Sequence, residues 1–256
     1  MAKLKPVKHE EQLSLVDHLD ELRSRIIFTL VAVAIIFAVC FWQSQLILDI
    51  ATAPLPEVNQ DLLVLAPTEA FMTTVTVCAY TAIIISAPLI SYQLFAYILP
   101  AFSPRERKAI LPLLFGIPVL FIIGVVFAYF IILPAAINFL LNFGGNNFNT
   151  ELRAREYYSF FSTTLLAGGF VFEIPIVIMA LVKLRIVSVA QLRSNRRYAY
   201  LVLAVIAAAL PGVDPLSMII ELLPLLLLYE LSIFLARGMG RQPKPVEEDE
   251  PTIEEH

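Results

Sequence analysis

Two long uncharged apolar runs constrain the fold of this 256-residue chain more than any other feature. Residues 70–104 form an uncharged run of 35 residues, and residues 109–150 form another of 42. A helix needs about 20 apolar residues to cross a bilayer, so each run can hold one span and a connecting segment. Hydrophobic residue types make up 59% of the chain and charged types only 16%, and a soluble core of this size cannot hide so much apolar surface. The sequence excludes a soluble enzyme, a disordered chain and a nucleic-acid-binding module, and it predicts an all-α integral membrane protein.

The apolar runs divide into six predicted transmembrane helices that form a membrane domain at 26–236. A cytoplasmic segment with an amphipathic helix precedes it at 1–25, and a disordered acidic cytoplasmic tail follows at 237–256. The predicted spans lie at about 26–43, 71–98, 109–133, 157–182, 198–213 and 216–236. The fifth span has only about 16 residues and reaches about 24 Å, so we expect it to thin the bilayer locally or to lean on its neighbours. An alternative merges the last two spans into one re-entrant hairpin.

The distribution of Lys and Arg predicts the orientation of these spans. Of the 18 basic residues, 16 lie in segments on the side of the N-terminus, and two, Arg153 and Arg155, lie on the other side. Basic residues accumulate in cytoplasmic segments, so both termini are expected in the cytoplasm, which requires an even number of spans. At the N-terminus, Ser14 to Asp17 matches a capping box, which predicts the start of the amphipathic helix that runs into the first span.

The sequence contains no catalytic or metal-binding signature. It has neither H-E-x-x-H, nor G-x-S-x-G, nor a glycine-rich phosphate loop before a lysine. Cys40 and Cys78 both lie in apolar runs without metal-ligand spacing, and the three histidines lie outside every apolar run. We therefore predict no enzymatic activity, no catalytic residue, no metal and no cofactor. The pair Gly168 and Gly169 in the fourth span permits either close helix packing or a kink.

Glu173 is the most informative polar residue, because it interrupts the fourth predicted span beside Pro175. An ionisable group near mid-bilayer costs roughly 3 kcal/mol on the insertion scale, so it should face protein or water. Pro175 lacks an N–H and is expected to bend the helix. These features predict a polar recess, and the alternative is a protonated glutamate bonded to a neighbouring helix. Glu221 in the sixth span either shares this recess or packs as a neutral residue, and Asp214 suits a turn or N-cap as well as a site.

Two glutamates lie among basic residues in the predicted cytoplasmic segments. Glu21 lies near Arg23, and Glu106 lies between Arg105 and Arg107. Taken alone, either is half of an ordinary surface ion pair, which contributes under about 1 kcal/mol.

A set of short motifs suggests that these glutamates have a function beyond ion pairing. Residues 18–25, which read HLDELRSR, resemble the H-L-x-E-L-R-x-R signature of the TatC family, the multi-span subunit of the twin-arginine protein translocase. Further stretches agree in order and spacing, at residues 53–55, 86–88, 92–93, 100–102, 106–107, 127–130, 133–134, 172–175, 214 and 228–230. The resemblance spans roughly residues 14–237.

The resemblance implies a curved, glove-like six-helix bundle in a bacterial or archaeal cell membrane. It implies a receptor for the twin-arginine signal peptides of folded proteins, with transport driven by the proton-motive force. Single-span subunits of the TatA/TatB type and further copies of the chain are the implied partners. Glu21 and Glu106 are the implied signal-peptide-binding residues, and Arg23 and Arg105 would orient them.

The same resemblance assigns the intramembrane glutamate of the family to Glu173 and its outer acidic residue to Asp214. Many relatives carry a glutamine at the position of Met218, so a relocated polar contact through Glu221 is an open alternative. The alternative function is a proton- or cation-coupled small-solute transporter that uses Glu173 and Glu221.

Overall fold

The structure, a computed structural model of the chain, describes residues 9–56, 60–98, 104–143, 151–183, 186–209 and 215–238, and these residues are mainly helical. In chain order the helices are α1 (His9–Trp42), α2 (Ser44–Thr52), α3 (Pro67–Ile98), α4 (Pro104–Phe127), α5 (Leu133–Phe143), α6 (Ala154–Val171), α7 (Ile174–Lys183), α8 (Val189–Ser194), α9 (Arg196–Ala209) and α10 (Pro215–Gly238). A π-helical turn, Ala128–Ile132, joins α4 to α5. The predicted all-α class is confirmed.

Most of the predicted membrane spans correspond to these helices. Among the described residues, five helical stretches are long and apolar enough to cross a membrane, namely His18–Trp42, Pro67–Tyr97, Leu114–Phe143, Ala154–Lys183 and Met218–Arg237. They overlap the predicted spans one to four and six. The fifth predicted span, 198–213, overlaps α9, which has 14 residues and a length of about 21 Å. Residues 210–214 lie outside the described part, so the sixth crossing stays a prediction.

Two helix boundaries differ from those that the sequence suggests. Helix α1 begins at His9, so the prediction of a helix start at Ser14 is wrong and Ser14 lies inside the helix. The third predicted span ends at 133, whereas the helix continues through the π-helical turn to Phe143. In that turn the N–H of Leu133 bonds to the carbonyl of Ala128. Pro134 follows in the first turn of α5, where a missing N–H costs least.

The helices pack in a chain of neighbours. Helix α3 packs against α1, α4 and α6, helix α4 also contacts α6 and α7, and α10 packs against α7 and α9.

One end of the bundle, which we call the basic end, therefore holds the start of α1, the end of α3, the starts of α4 and α9 and the ends of α7 and α10. Much of the apolar surface of α1 is exposed, as expected of a helix that faces lipid.

The opposite end of the bundle is closed by α2 and the segment after it. The hydroxyl of Tyr157, at the start of α6, donates to the carbonyl of Ala51 at 2.6 Å. The hydroxyl of Tyr129 donates to the carbonyl of Ile50 at 2.9 Å. We call residues 44–56 and 60–66 the α2 cap. The sequence predicted only a loop here.

An ion pair and a backbone bridge complete this end. Nε of Arg153 donates to Oε1 of Glu69 at 2.7 Å, and Leu63 and Arg153 form an isolated β-bridge. The hydrogen bond to Glu69 raises the pKa of the Arg153 guanidinium. The pair joins the start of α3 to the start of α6 and stays ionised at any physiological pH.

Helices α4 and α6 cross at glycines that let the two backbones approach closely. A Cβ atom on Gly124 would lie 2.5 Å from the carbonyl oxygen of Gly168, and one on Gly169 would lie 2.6 Å from the ring of Phe121. Of the two alternatives for the pair Gly168 and Gly169, the structure supports close packing.

Gly124→Ala should therefore destabilise the protein, because the added methyl group meets backbone atoms that cannot move aside. Overpacking of this kind costs about 1–3 kcal/mol. Gly116→Ala on the same helix is the control, since its nearest neighbour is the flexible end of Ile176 at 3.2 Å. Thermal unfolding of the detergent-purified proteins measures the difference. Equal melting temperatures for the two variants would contradict the close crossing.

Candidate functional site

Glu21 is held at the basic end by a continuous α1 and by a contact with α3. Because α1 is helical throughout, Glu21 and Arg25 lie on the same face, four residues apart. Nη2 and Nε of Arg25 donate to Oε1 of Glu21 at 2.6 and 2.9 Å. Nη1 of Arg25 donates to Oε1 of Gln93 on α3 at 2.8 Å. Arg25 thus connects the carboxylate of Glu21 to a second helix.

A ring contact fixes the same part of α1. The imidazole of His18 stacks on the ring of Tyr97 in the last turn of α3, with a centroid separation of 4.2 Å and an interplanar angle of 7°. Both contacts restrain α1 against α3, so the position of Glu21 is set by groups on two helices. The side chain of Glu21 is still 36% exposed, and Arg23 is exposed on the same helix.

The carboxylate of Glu21 has room for a second guanidinium group. Both donors from Arg25 reach Oε1, whereas Oε2 lies 3.8 Å from Nδ1 of His18, beyond hydrogen-bond distance. A carboxylate has two oxygens and about four lone-pair sites, so Oε2 can accept from an incoming cation while Oε1 keeps Arg25. The arrangement suits a positively charged ligand that carries planar N–H donors.

Glu106 and Arg105 lie in the first turn of α4, which begins with Pro104. Their side chains lie outside the described residues. Proline is favourable at the first position of a helix and an acidic residue in its first turn, so local sequence explains the helix start. Helices α1 and α4 both pack on α3. The structure therefore brings the segments of Glu21 and Glu106 to the same end of the bundle.

Glu173 occupies a break between two helices. Helix α6 ends at Val171 and α7 begins at Ile174. The N–H of Glu173 bonds to the carbonyl of Phe170 at 3.1 Å, three residues back, as in a tightened final turn. Pro175 follows as the second residue of α7 and is buried. The break leaves Glu173 where two short helices meet.

The helix break at Glu173 lies at the place where α4 crosses. The ring of the adjacent Phe172 contacts that of Phe127 on α4, with centroids 5.3 Å apart, and Ile176 is buried against Leu114 and Ile117. Oε1 of Glu173 is buried, and no described residue forms a hydrogen bond with it. A polar atom in such surroundings gains free energy from any partner that can bond to it.

The structure gives less detail on the other predicted polar residues, Glu221 and Asp214. Glu221 is buried in α10, with 4% of its surface exposed. Asp214 lies outside the described residues and directly precedes Pro215, the first residue of α10. Within the described ranges, no group of three or more His, Cys, Asp or Glu side chains could hold a metal ion.

Sequence reasoning gave no role to a polar cluster at the basic end or to two residues on α3. Glu230 on α10 accepts from Nη2 of Arg196 at 2.6 Å and from the hydroxyl of Tyr200 at 2.7 Å. Gln93 and Tyr97 hold the Glu21 segment, as described above. Gln93 and Glu230 are polar residues inside apolar runs, and a polar residue in such a run indicates a structural or functional contact.

Known proteins resemble this chain over most of its length. A sequence profile described as Sec-independent protein translocase protein (TatC) matches residues 17–224. The chain is 38% identical to the Sec-independent protein translocase protein TatC of Carboxydothermus hydrogenoformans over 229 residues, which cover 89% of this chain and 94% of that protein. It is 36% identical to the TatC protein of Aquifex aeolicus over 241 residues, which cover 92% and 99% of the two chains.

A solved structure shares the fold as well. A crystal structure described as that of the twin-arginine translocase receptor TatC aligns with a TM-score of 0.74 and 36% sequence identity. The alignment covers 88% of this chain and 100% of that one. The similarity includes both the segment that holds Glu21 and the helix break at Glu173.

Proposed function

Because the chain belongs to the TatC family of Sec-independent protein translocase proteins, we propose that it is the core receptor subunit of a twin-arginine translocase and binds the signal peptides of folded proteins. The observation that carries this proposal is the carboxylate of Glu21, which is accessible and yet held by two helices. The family comprises translocase components rather than enzymes or solute carriers. The small-solute transporter is therefore not favoured.

The chemistry of a twin-arginine signal suits this end of the bundle. Two adjacent arginines present two planar guanidinium groups, and each can bond to a carboxylate through two N–H donors. Glu21 and Glu106 supply two carboxylates on neighbouring segments. Arg25 orients the carboxylate of Glu21, Arg105 is assigned that role for Glu106, and Arg23 and Arg105 repel unrelated cations. Arg25 and Gln93 already hold Glu21, so little side-chain entropy is lost when the signal binds.

Glu173 is proposed as the contact for a partner subunit inside the membrane. Two observations support this role: the side chain of Glu173 is only half-buried, and its Oε1 has no hydrogen bond from the described residues. A rotation of the carboxyl group would let a polar group on the transmembrane helix of a TatA/TatB-type subunit supply that bond. Interhelical hydrogen bonds in membranes contribute about 0.6–2 kcal/mol, which is modest for affinity but sufficient to fix where a helix docks. Assembly with such subunits and with further copies would then allow transport driven by the proton-motive force.

The sixth crossing and the orientation of the chain belong to the same proposal. Both termini lie in the cytoplasm of a bacterial or archaeal cell, and the basic end faces the cytoplasm. The charge distribution supports this orientation, because 16 of the 18 basic residues fall on that side.

Cysteine labelling in intact cells tests the orientation. Cysteines at Gln60 and Glu151 should react with a reagent that does not cross the membrane, and cysteines at Arg105 and Arg193 should not. The native Cys40 and Cys78 are buried, so their background should be low. Labelling of position 105 from outside would contradict the six-span arrangement.

Glu21→Gln and Glu106→Gln should each weaken binding of a twin-arginine signal peptide by about 1–3 kcal/mol, the range for hydrogen bonds to charged groups. Asp20→Asn is a matched control, because it removes a charge from an exposed neighbour on the same helix. A signal peptide with two lysines should also bind less tightly, since lysine lacks the planar fork. Site-specific crosslinking and peptide titration measure these effects. Unchanged affinity in both glutamine variants would rule out this assignment.

Glu173→Gln should retain more cargo export than Glu173→Ala, because glutamine keeps hydrogen-bond donors and acceptors. Both variants should still bind the signal peptide, since that contact lies at the basic end. Membranes that carry each variant are assayed in parallel for signal-peptide crosslinking and for export. Full export by Glu173→Ala would leave Glu173 with a packing role alone. Loss of signal binding in either variant would show that the two sites are not separable.

A further inference from the structure

An open groove separates α7 from α9 above the surface of α10. Its volume is about 390 Å³, within the range of roughly 300–1,000 Å³ that is typical of small-molecule sites. Its walls are mainly apolar, with Ile174 and Ile178 from α7, Val202, Leu203 and Ile206 from α9, and Tyr229 from α10. Helices α7 and α10 belong to stretches that are long and apolar enough to cross a membrane, so the groove lies at a depth where lipid can reach it.

The polar residues of the groove are gathered at one end. Gln191, Asn195 and Tyr198 line it at the basic end, where α8 leads into α9. The guanidinium of Arg197 lies 4.7 Å from the centre of the Tyr198 ring, and its Nη2 donates to the Tyr198 hydroxyl at 3.0 Å. A positive charge is therefore held beside a residue that lines the groove.

The charges around this end favour an anion. Residues 183–197 contain five basic residues and no acidic residue. In the part of the chain that the structure describes, Glu230 is an acidic group near the start of α9, and it forms an ion pair with Arg196 and a hydrogen bond with Tyr200.

We propose that this groove binds one anionic phospholipid from the leaflet at the basic end. One acyl chain lies along the apolar walls between α7 and α9, and the phosphate group meets Arg197. Basic pockets between transmembrane helices bind anionic headgroups in this way. The proposal is independent of signal-peptide binding, because it uses neither Glu21 nor Glu106.

The distribution of polar and apolar residues in the groove favours a phospholipid over the helix of a partner subunit. From Tyr198 to Ile206 the apolar walls follow about 12 Å of α9, at 1.5 Å per residue, which suits part of an acyl chain. The polar residues and the charge of Arg197 lie at one end only, as a lipid with a single anionic headgroup requires.

Native mass spectrometry of the purified full-length chain tests the proposal with two probes. Dioleoyl phosphatidylglycerol is anionic, and dioleoyl phosphatidylcholine has the same acyl chains but no net charge. After delipidation, the wild-type protein should retain one phosphatidylglycerol at least about fivefold more tightly than phosphatidylcholine, the contribution expected of one basic residue at a membrane surface. Arg197→Gln should remove this preference while phosphatidylcholine binding stays the same.

A matched pair of tryptophan variants tests the position of the lipid. Val202→Trp fills the groove and should abolish the tight phosphatidylglycerol adduct. Val205→Trp is the control, since Val205 lies on the same helix with 62% of its surface exposed and is not a lining residue. Melting temperatures show whether both variants are folded. The comparison of the two lipids on the wild-type protein uses no variant, so it tests the proposal even where a variant does not fold.

Three results would overturn the proposal. The first is equal wild-type retention of the two lipids. The second is the same phosphatidylglycerol retention in Val202→Trp as in Val205→Trp. The third is a crosslink, in whole membranes, from a cysteine at position 202 to a single-span subunit instead of to a photoactivatable phosphatidylglycerol, which would make the groove a protein-docking surface.

Discussion

The close crossing of α4 and α6 is the contact on which the placement of the membrane site depends. Gly124 and Gly168 let the two backbones meet, and lipid supplies no hydrophobic force that would replace this packing. Once the helices are this close, Phe172 reaches Phe127 and the break after Val171 lies against α4. The position of Glu173 thus follows from the absence of side chains at glycines that lie little more than one helical turn before it. Helix α10 then packs on α7 and completes that side of the bundle.

Helix α1 is positioned by a different principle. Much of its apolar surface faces outward, and burial between apolar helices contributes little when the alternative is contact with lipid. Its attachment to α3 relies instead on a small buried group around Cys40 and Cys78 and on the polar contacts of Arg25 and His18. The contacts that hold α1 are therefore close to the carboxylate that we assign to signal recognition. Stability and recognition share the same few residues at this end.

The sequence predicted the elements that the bilayer dictates and missed those that tertiary packing dictates. Uncharged runs of span length became helices because unpaired backbone groups are not tolerated in lipid. Helices α2 and α8 are short, and such helices form only where other parts of the chain support them. Composition could not show that the third helix would pass Pro134, because this depends on the π-helical turn before it.

The same distinction applies to the candidate site, whose residues were predicted from the sequence but whose surroundings were not. Glu21 and Glu173 stood out in the sequence as charges in motifs or apolar runs, and the resemblance gave them roles. Their surroundings could not be read in the same way, since Gln93 is 68 residues from the arginine that it binds. The start of α1 is also instructive. Ser14 has the spacing of a cap, but the helix continues through it, so a local signal was overridden by the helix around it.

The α2 cap has a consequence for how the chain is made. Arg153 is 84 residues from Glu69, and Tyr157 is 106 residues from Ala51. At a synthesis rate of about 5–20 residues per second, the first pair cannot form until roughly 4–17 s after Glu69 is made. During that interval the earlier helices are already being inserted, while the cap has neither its ion pair nor its tyrosine contacts. The far end of the molecule is therefore closed late in biogenesis, by the arrival of α6.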